Sequence, residues 1–123
     1  AGNNDPKYPG AVDEAIGDSG TNWVDRWASF STFGDWVDLA APGANVLSTF
    51  PMSKGNGYKI MDGTSMAAPA VTAAAALVRS AHPDWNVAQV RARLEKTAKD
   101  VIMNGKDKYS GFGRVDIGKA LLD

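Results

Sequence analysis

Residues 63–81 read GTSMAAPAVTAAAALVRSA, and the change of composition inside this stretch decides most of the fold. Before it, the chain is a succession of short segments broken by glycine and proline. From Ser65 to about Ala81 nearly every residue is small or apolar, the pattern of a long helix that is apolar all round and therefore buried. Pro69 falls in or near the first turn, where a missing N–H costs little. Ser65 thus stands where a strand-and-turn segment gives way to a helix N-terminus, an end that presents unpaired N–H groups and partial positive charge. An oxyanion formed by attack on a carbonyl would be stabilised there. On position alone, the better reading is the plainer one, in which Thr64 or Ser65 is simply the helix N-cap.

Working outward, Trp36–Leu39 (WVDL) and Val46–Phe50 (VLSTF) are short strand candidates separated by the turn-forming Ala41-Pro42-Gly43. Residues 54–57 (KGNG) form another turn, and Tyr58–Met61 a short strand running up to Gly63. On the other side, His82-Pro83 ends the long helix. Asn86 opens the next, with Gln89 three residues later in a capping-box pattern. Val87, Val90, Leu94, Ala98 and Val101 recur at helical spacing, so that face is expected to be buried while Arg91, Arg93, Glu95 and Lys96 face water. A last short helix, Ile117–Leu122, follows Asp116 as its cap. Strands alternating with helices suggest α/β layers.

Bulk properties exclude several functions. The 123 residues suffice for one domain with a real core. Thirteen basic and fourteen acidic residues are scattered along the chain for a net charge of −1. That balance argues against nucleic acid as a partner, because nucleic-acid affinity rests on clustered Lys and Arg. The absence of cysteine removes disulfides, thiolate metal sites and a cysteine nucleophile. No run approaches the ~18 apolar residues of a membrane span, and the opening AGNNDPKYPG has neither the basic nor the apolar region of a signal peptide.

A second serine, Ser19, sits in GDSG (residues 17–20), which looks like the nucleophile loop of trypsin-like proteases. That loop normally continues with another glycine, whereas Thr21-Asn22 follows here, and a trypsin-like domain would be nearly all β. Four residues of this composition are also a common turn, so Ser19 is read as a decoy. No serine has glycine two positions away on both sides, which excludes the nucleophile elbow of α/β-hydrolases.

GTSMAAP, with AGNN upstream and the alanine-rich helix downstream, resembles the serine-box region of subtilisin-like serine proteases, the subtilases (peptidase S8), in a thermitase-like flavour. The resemblance extends across almost the whole chain. Ala1-Gly2-Asn3 is similar to the family's oxyanion-hole segment, Tyr8-Pro9-Gly10 to its YP turn, and Ala28–Ser31 (ASFS) and Val37–Gly43 (VDLAAPG) to later segments in the same order. Residues 80–98 (SAHPDWNVAQVRARLEKTA) are similar to the helix–turn–helix after the serine, and residues 111–121 (GFGRVDIGKAL) to the closing segment. The implied fold is subtilisin-like: three-layer α/β/α with a mostly parallel sheet, of which residues 1–123 would form the C-terminal portion.

The resemblance implies roles residue by residue. Ser65 would be the nucleophile, Asn3 with the Ser65 N–H would form the oxyanion hole, and Thr64 would support it. Gly2, Asn3, Tyr8, Pro9, Gly10 and Met66 would contact substrate, and Met66 would be the thioether whose oxidation crowds the site. Asp38, with the carbonyls of Gly10, Val12 and Ala15, would form a weak site for calcium or sodium. The main calcium site would lie in the N-terminal part of the catalytic domain. The implied partners are a protein or peptide substrate and that N-terminal part, and the implied location is extracellular.

The histidine and aspartate of the triad precede the serine in this family, and both would lie upstream of Ala1. The chain's one histidine, His82, is seventeen residues beyond Ser65. Along a helix that is about 25 Å, whereas a working base must come within roughly 3 Å. The expectation is therefore a serine endopeptidase represented by its nucleophile-bearing part, inactive without the remainder. The alternative is a non-catalytic form that keeps the fold and peptide binding. Three positions depart from the family pattern: Ala70 stands where a structural histidine is usual, Asp62 replaces Ser or Asn before GTS, and IGDSG (residues 16–20) replaces an apolar strand, placing Asp18 where an unpaired carboxylate would be costly.

Overall fold

Gly63 decides where the long helix begins. With φ +147° and ψ 154° it occupies backbone space that is essentially reserved for glycine, and helix α1 (Thr64–Ala81) follows directly. The structure is a computed structural model that describes residues 25–28, 30–55 and 57–122. Pro69 lies in the second turn of α1, one turn later than expected, so the amide that would bond the Ser65 carbonyl is missing. The helix is also less buried than its composition implies. Only Ala74 and Val78 are fully enclosed, and Leu77 is 46% exposed. Apolar composition sets what a helix can bury; here α2 and α3 cover one of its faces.

The corner after α1 is tightly built. The His82 N–H caps the helix by donating to the Val78 carbonyl at 3.0 Å, and Trp85 N–H donates back to the His82 carbonyl at 3.1 Å. The two rings stack with centroids 3.8 Å apart and planes within 7°. Arg79 Nη1 adds a bond to the Trp85 carbonyl at 2.9 Å. Helix α2 (Val87–Thr97) then starts from the expected capping box: Asn86 Oδ1 accepts from Gln89 N–H at 3.0 Å and Gln89 Oε1 accepts from Asn86 N–H at 2.9 Å.

Two expectations for α2 fail in detail. The helix ends at Thr97 because Ala98 is extended, with φ −55° and ψ 145°, so Val101 falls outside it. Val87, expected on the buried face, is 77% exposed, as befits a first-turn residue beyond the reach of α1. Arg93 turns inward instead of facing water. Its Nε donates to the Ala120 carbonyl at 2.9 Å, and Nη2 lies 3.4 Å from the Lys119 carbonyl. Those carbonyls end α3 (Ile117–Leu121), one residue shorter than expected and capped by Asp116, whose Oδ1 accepts from Lys119 N–H at 2.9 Å. Ala74, Val78, Val90, Leu94, Val115 and Ala120 form the core where the three helices meet.

The β structure is smaller than the resemblance implied. Among the described residues the sheet has two strands, β1 (Val46–Thr49) and β2 (Tyr58–Met61), paired antiparallel from Val46↔Met61 to Thr49↔Tyr58. The candidate strand at residues 36–39 is not one. Its end instead runs beside residues 112–115: Phe112 N–H donates to the Asp38 carbonyl at 2.8 Å, and Val115 N–H to the Ala40 carbonyl at 2.9 Å. Parallel pairing there is a single bridge, Ala40↔Arg114. The loop before it is organised by Asp107. Its Oδ1 accepts from Tyr109 N–H (2.6 Å) and Ser110 N–H (2.9 Å), and its Oδ2 accepts from the Ser110 hydroxyl (2.7 Å). No helix among the described residues is long and apolar enough to cross a membrane.

Candidate active site

Ser65 is the second residue of α1 and is exposed; Thr64 before it and Met66 after it are half-buried. The cap position belongs to Gly63, and no side chain caps this end of the helix. Neither Thr64 nor Ser65 is therefore spent as an N-cap, contrary to the plainer reading of the sequence. The first turn holds no acidic residue, and the nearest carboxylate along the chain is Asp62, just before the cap. Met66 N–H bonds the Gly63 carbonyl at 2.9 Å. A serine at an uncapped helix N-terminus stands close to backbone N–H groups, which can stabilise developing negative charge.

Two contacts seat this end of the helix. Gly63 N–H donates to the Gly43 carbonyl at 2.7 Å, and Asp62 Oδ1 accepts from the backbone N–H of Asn45 at 2.6 Å. Asp62, which the sequence places as a charge close to the serine, is thus engaged with the Pro42–Asn45 turn. Neither contact was read from the sequence; glycine at 43 and asparagine at 45, a residue tolerant of left-handed backbone, are the only signals it offers. Beside the helix start opens a cleft of about 680 Å³, to which Thr64, Ala67, Val71, Trp27, Leu39 and Tyr109 contribute. Thr64 lines this cleft and Ser65 does not.

His82 closes the opposite end of α1 and is committed to its stack on Trp85. It is a helix-end residue, as the spacing along α1 required, and is not a base for Ser65. Asn3 lies outside the described residues, together with Gly2, Tyr8, Pro9, Gly10, Val12, Ala15, Asp18 and Ser19.

Asp38 faces a basic side chain of α2. Its Oδ1 is 2.6 Å from Arg91 Nη2, and Arg91 Nε bonds Glu95 Oε1 at 2.7 Å. The Glu95 hydrogen bond first, then Asp38, raise the pKa of Arg91 further, so the guanidinium stays charged. A carboxylate already facing a fixed positive charge is a poor start for a metal site, and among the described residues no three His, Cys, Asp or Glu side chains gather to hold one. The carbonyls of Gly10, Val12 and Ala15 that would complete the expected weak cation site lie outside the described residues.

The Subtilase family, peptidase S8, matches residues 1–113. Thermitase of Thermoactinomyces vulgaris is 40% identical over 121 residues, 98% of this chain and 41% of thermitase. Subtilisin of Bacillus pumilus is 42% identical over 113 residues, 92% of this chain and 39% of subtilisin. The chain thus spans about two-fifths of the length of these curated relatives. Among solved structures, fervidolysin of Fervidobacterium pennivorans, a keratinolytic enzyme related to subtilisin, superposes with a TM-score of 0.69 at 36% identity, over 76% of this chain and 16% of fervidolysin. That likeness places the described helices and strands within a subtilisin-like α/β fold. With the family matched over all but the last ten residues, this chain belongs to the subtilases.

Proposed function

We propose that these residues carry the nucleophile of a serine endopeptidase. The observation that supports this most is the exposed Ser65 hydroxyl at an uncapped helix N-terminus in a chain of the subtilase family. Ser65 Oγ attacks the scissile carbonyl and passes its proton to an imidazole that these 123 residues do not supply. The Ser65 N–H and the Asn3 side-chain amide bind the oxyanion, with Thr64 in support. Gly2, Asn3, Tyr8, Pro9, Gly10 and Met66 contact the peptide. The histidine and its orienting aspartate come from the N-terminal part of a complete catalytic domain, whose three-layer architecture and mostly parallel sheet this chain completes. The substrate is a protein or peptide met outside the cell.

Active-site labelling tests the reading. In the catalytically complete protein a fluorophosphonate reacts at Ser65, Ser65→Ala abolishes labelling and turnover, and Ser19→Ala keeps most of both. In subtilisin itself, loss of the nucleophile costs about 2 × 10⁶ in kcat, and the expectation here is inherited from that relative. The 123-residue chain alone labels very slowly, because the oxyanion hole and binding without a base leave only ~10³–10⁴-fold over water. Labelling at Ser19 would refute the assignment of the nucleophile. Rapid labelling of the isolated chain would show that a base lies within it. A complete protein inert at every serine would leave a peptide-binding, non-catalytic member of the family.

A further inference from the structure

The hairpin register reveals what Asp62 does. β1 and β2 pair Val46 with Met61 and Leu47 with Ile60, so one more step of the ladder would set Asn45 opposite Asp62. The ladder stops there because Asn45 takes φ +53°, a left-handed conformation that turns its backbone out of the strand. Phe50 N–H donates to the Gly57 carbonyl at 2.8 Å, so pairs alternating from there, 48–59 and 46–61, exchange the ladder bonds. The Asn45 N–H accordingly faces away from the main chain of β2, and the Asp62 carboxylate supplies its acceptor at 2.6 Å. The next residue, Gly63, donates its own N–H to the Gly43 carbonyl at 2.7 Å. Both residues that lead into α1 are thus fastened to one turn, and the second of them fixes the cap from which Thr64 and Ser65 project.

We propose that Asp62 is a positioning residue: its carboxylate accepts the outward-facing Asn45 N–H, clamps the left-handed Asn45 turn, and thereby fixes where α1 begins and where Ser65 stands. A carboxylate suits this task because a hydrogen bond to a charged acceptor is about twice as strong as one between neutral groups. The role in catalysis rests on reading Ser65 as the nucleophile; the clamp does not.

Two measurements separate the two claims. Amide hydrogen exchange on the full chain reads the clamp directly. Asp62→Ala speeds exchange at Asn45 by about tenfold, while Val78 and Leu94 in the core stay protected. Asp62→Asn, which keeps a side-chain oxygen, leaves Asn45 within about threefold. Peptide turnover by the catalytically complete protein reads the positioning. Asp62→Ala lowers kcat roughly tenfold with KM little changed, and Asp62→Asn restores it.

An unchanged Asn45 amide in Asp62→Ala overturns the clamp, whatever the protein catalyses. A freed amide with unchanged kcat overturns the positioning role, as does an equal kcat loss in Asp62→Asn, which would make charge the operative property. If Asp62→Ala also loses protection at Val78, Asp62→Asn decides: a freed Asn45 amide there overturns the clamp. If the wild-type complete protein neither turns over peptide nor labels at Ser65, the nucleophile reading fails and the positioning role with it, while exchange still decides the clamp.

Discussion

Alanine at Gly43 probes how closely the turn is seated against the helix that carries Ser65. A Cβ at residue 43 would lie 2.9 Å from the Gly63 carbonyl oxygen and 3.3 Å from the Ala67 Cβ, against an ordinary contact of at least 3.4 Å. The nearest obstacle is backbone and the second a helical Cβ, so no flexible side chain can give way. The turn and the helix must therefore part by about half an ångström, which is the overpacking case, at about 1–3 kcal/mol. The Gly63–Gly43 hydrogen bond, now 2.7 Å, would stretch toward the limit of a useful bond. Against this, replacing glycine by alanine restricts the unfolded chain and returns about 0.4–1 kcal/mol. The net loss is about 1–2 kcal/mol, or roughly 4–8 °C in Tm for a chain of this size. The same half-ångström arrives two residues from Ser65, so we predict a kcat loss on the order of tenfold in the complete protein. Thermal unfolding followed by circular dichroism, and peptide turnover well below the transition, give the two numbers. A variant of similar stability loss placed away from the site, Asn86→Ala, keeps its kcat. If Gly43→Ala left Tm within 2 °C, or lost stability with kcat intact, the seating of the turn would not control the site.

Asn86→Ala itself removes one half of the capping box at α2 and is expected to cost ~1 kcal/mol, read as a lower midpoint in urea with an unchanged slope. Asp107 is predicted to shape the acid limb of stability. Burial pushes its carboxyl up, but the hydrogen bonds from Ser110 and Tyr109 outweigh this and hold its pKa below the ordinary value. A depressed folded pKa means that its stabilisation is present above about pH 4 and is lost as pH falls through the lower folded value. Asp107→Asn should therefore be less stable at neutral pH and show a flatter decline below pH 4, and an unchanged acid transition would contradict this. Gly113→Ala is expected to be the harshest glycine substitution away from the site. Its φ is +118° and a Cβ would stand 2.2 Å from the Lys99 carbonyl oxygen, so both Lys99–Arg114 backbone bonds must yield. Loss of cooperative unfolding, or a Tm drop of more than ~10 °C, is the expected result.

The helices were legible because their signals are local. The capping residues Asn86, Gln89 and Asp116 lie within three positions of the amides they bond, and composition alone marks the long run that becomes α1. What periodicity could not give was the direction of side chains near helix ends. Val87 and Arg93 share one helix, yet the valine is exposed while the arginine reaches two carbonyls of α3. Its guanidinium finds carbonyl acceptors on a neighbouring helix, at a position that a hydrophobic–polar pattern scores as solvent-facing. The candidate strand at residues 36–39 failed for a related reason. Its composition suits a strand, but a strand needs a continuous partner, and the chain offers residues 112–115 in alignment for only a few bonds.

The site divides along the same line. Ser65 and Thr64 could be placed from sequence because they sit in one unbroken motif at the start of one helix, and His82 could be excluded because a helix is a ruler. The N-cap was misjudged, since a serine or threonine at a helix start is ordinarily the cap. The glycine before them takes that position with a backbone conformation that suits glycine alone, and neither side chain serves as the cap. The clamp at Asp62 could not be read at all, because it joins residues 17 apart across a hairpin whose register no local rule specifies. It becomes visible only once Val46 is known to face Met61. Asp38 has a partner that the sequence could not supply either. Its place in VDLAAPG invites a cation, but the charge that meets it comes from Arg91, 53 residues away on α2. Such a pairing between distant elements has no local signal, just as the Asp62 contact has none.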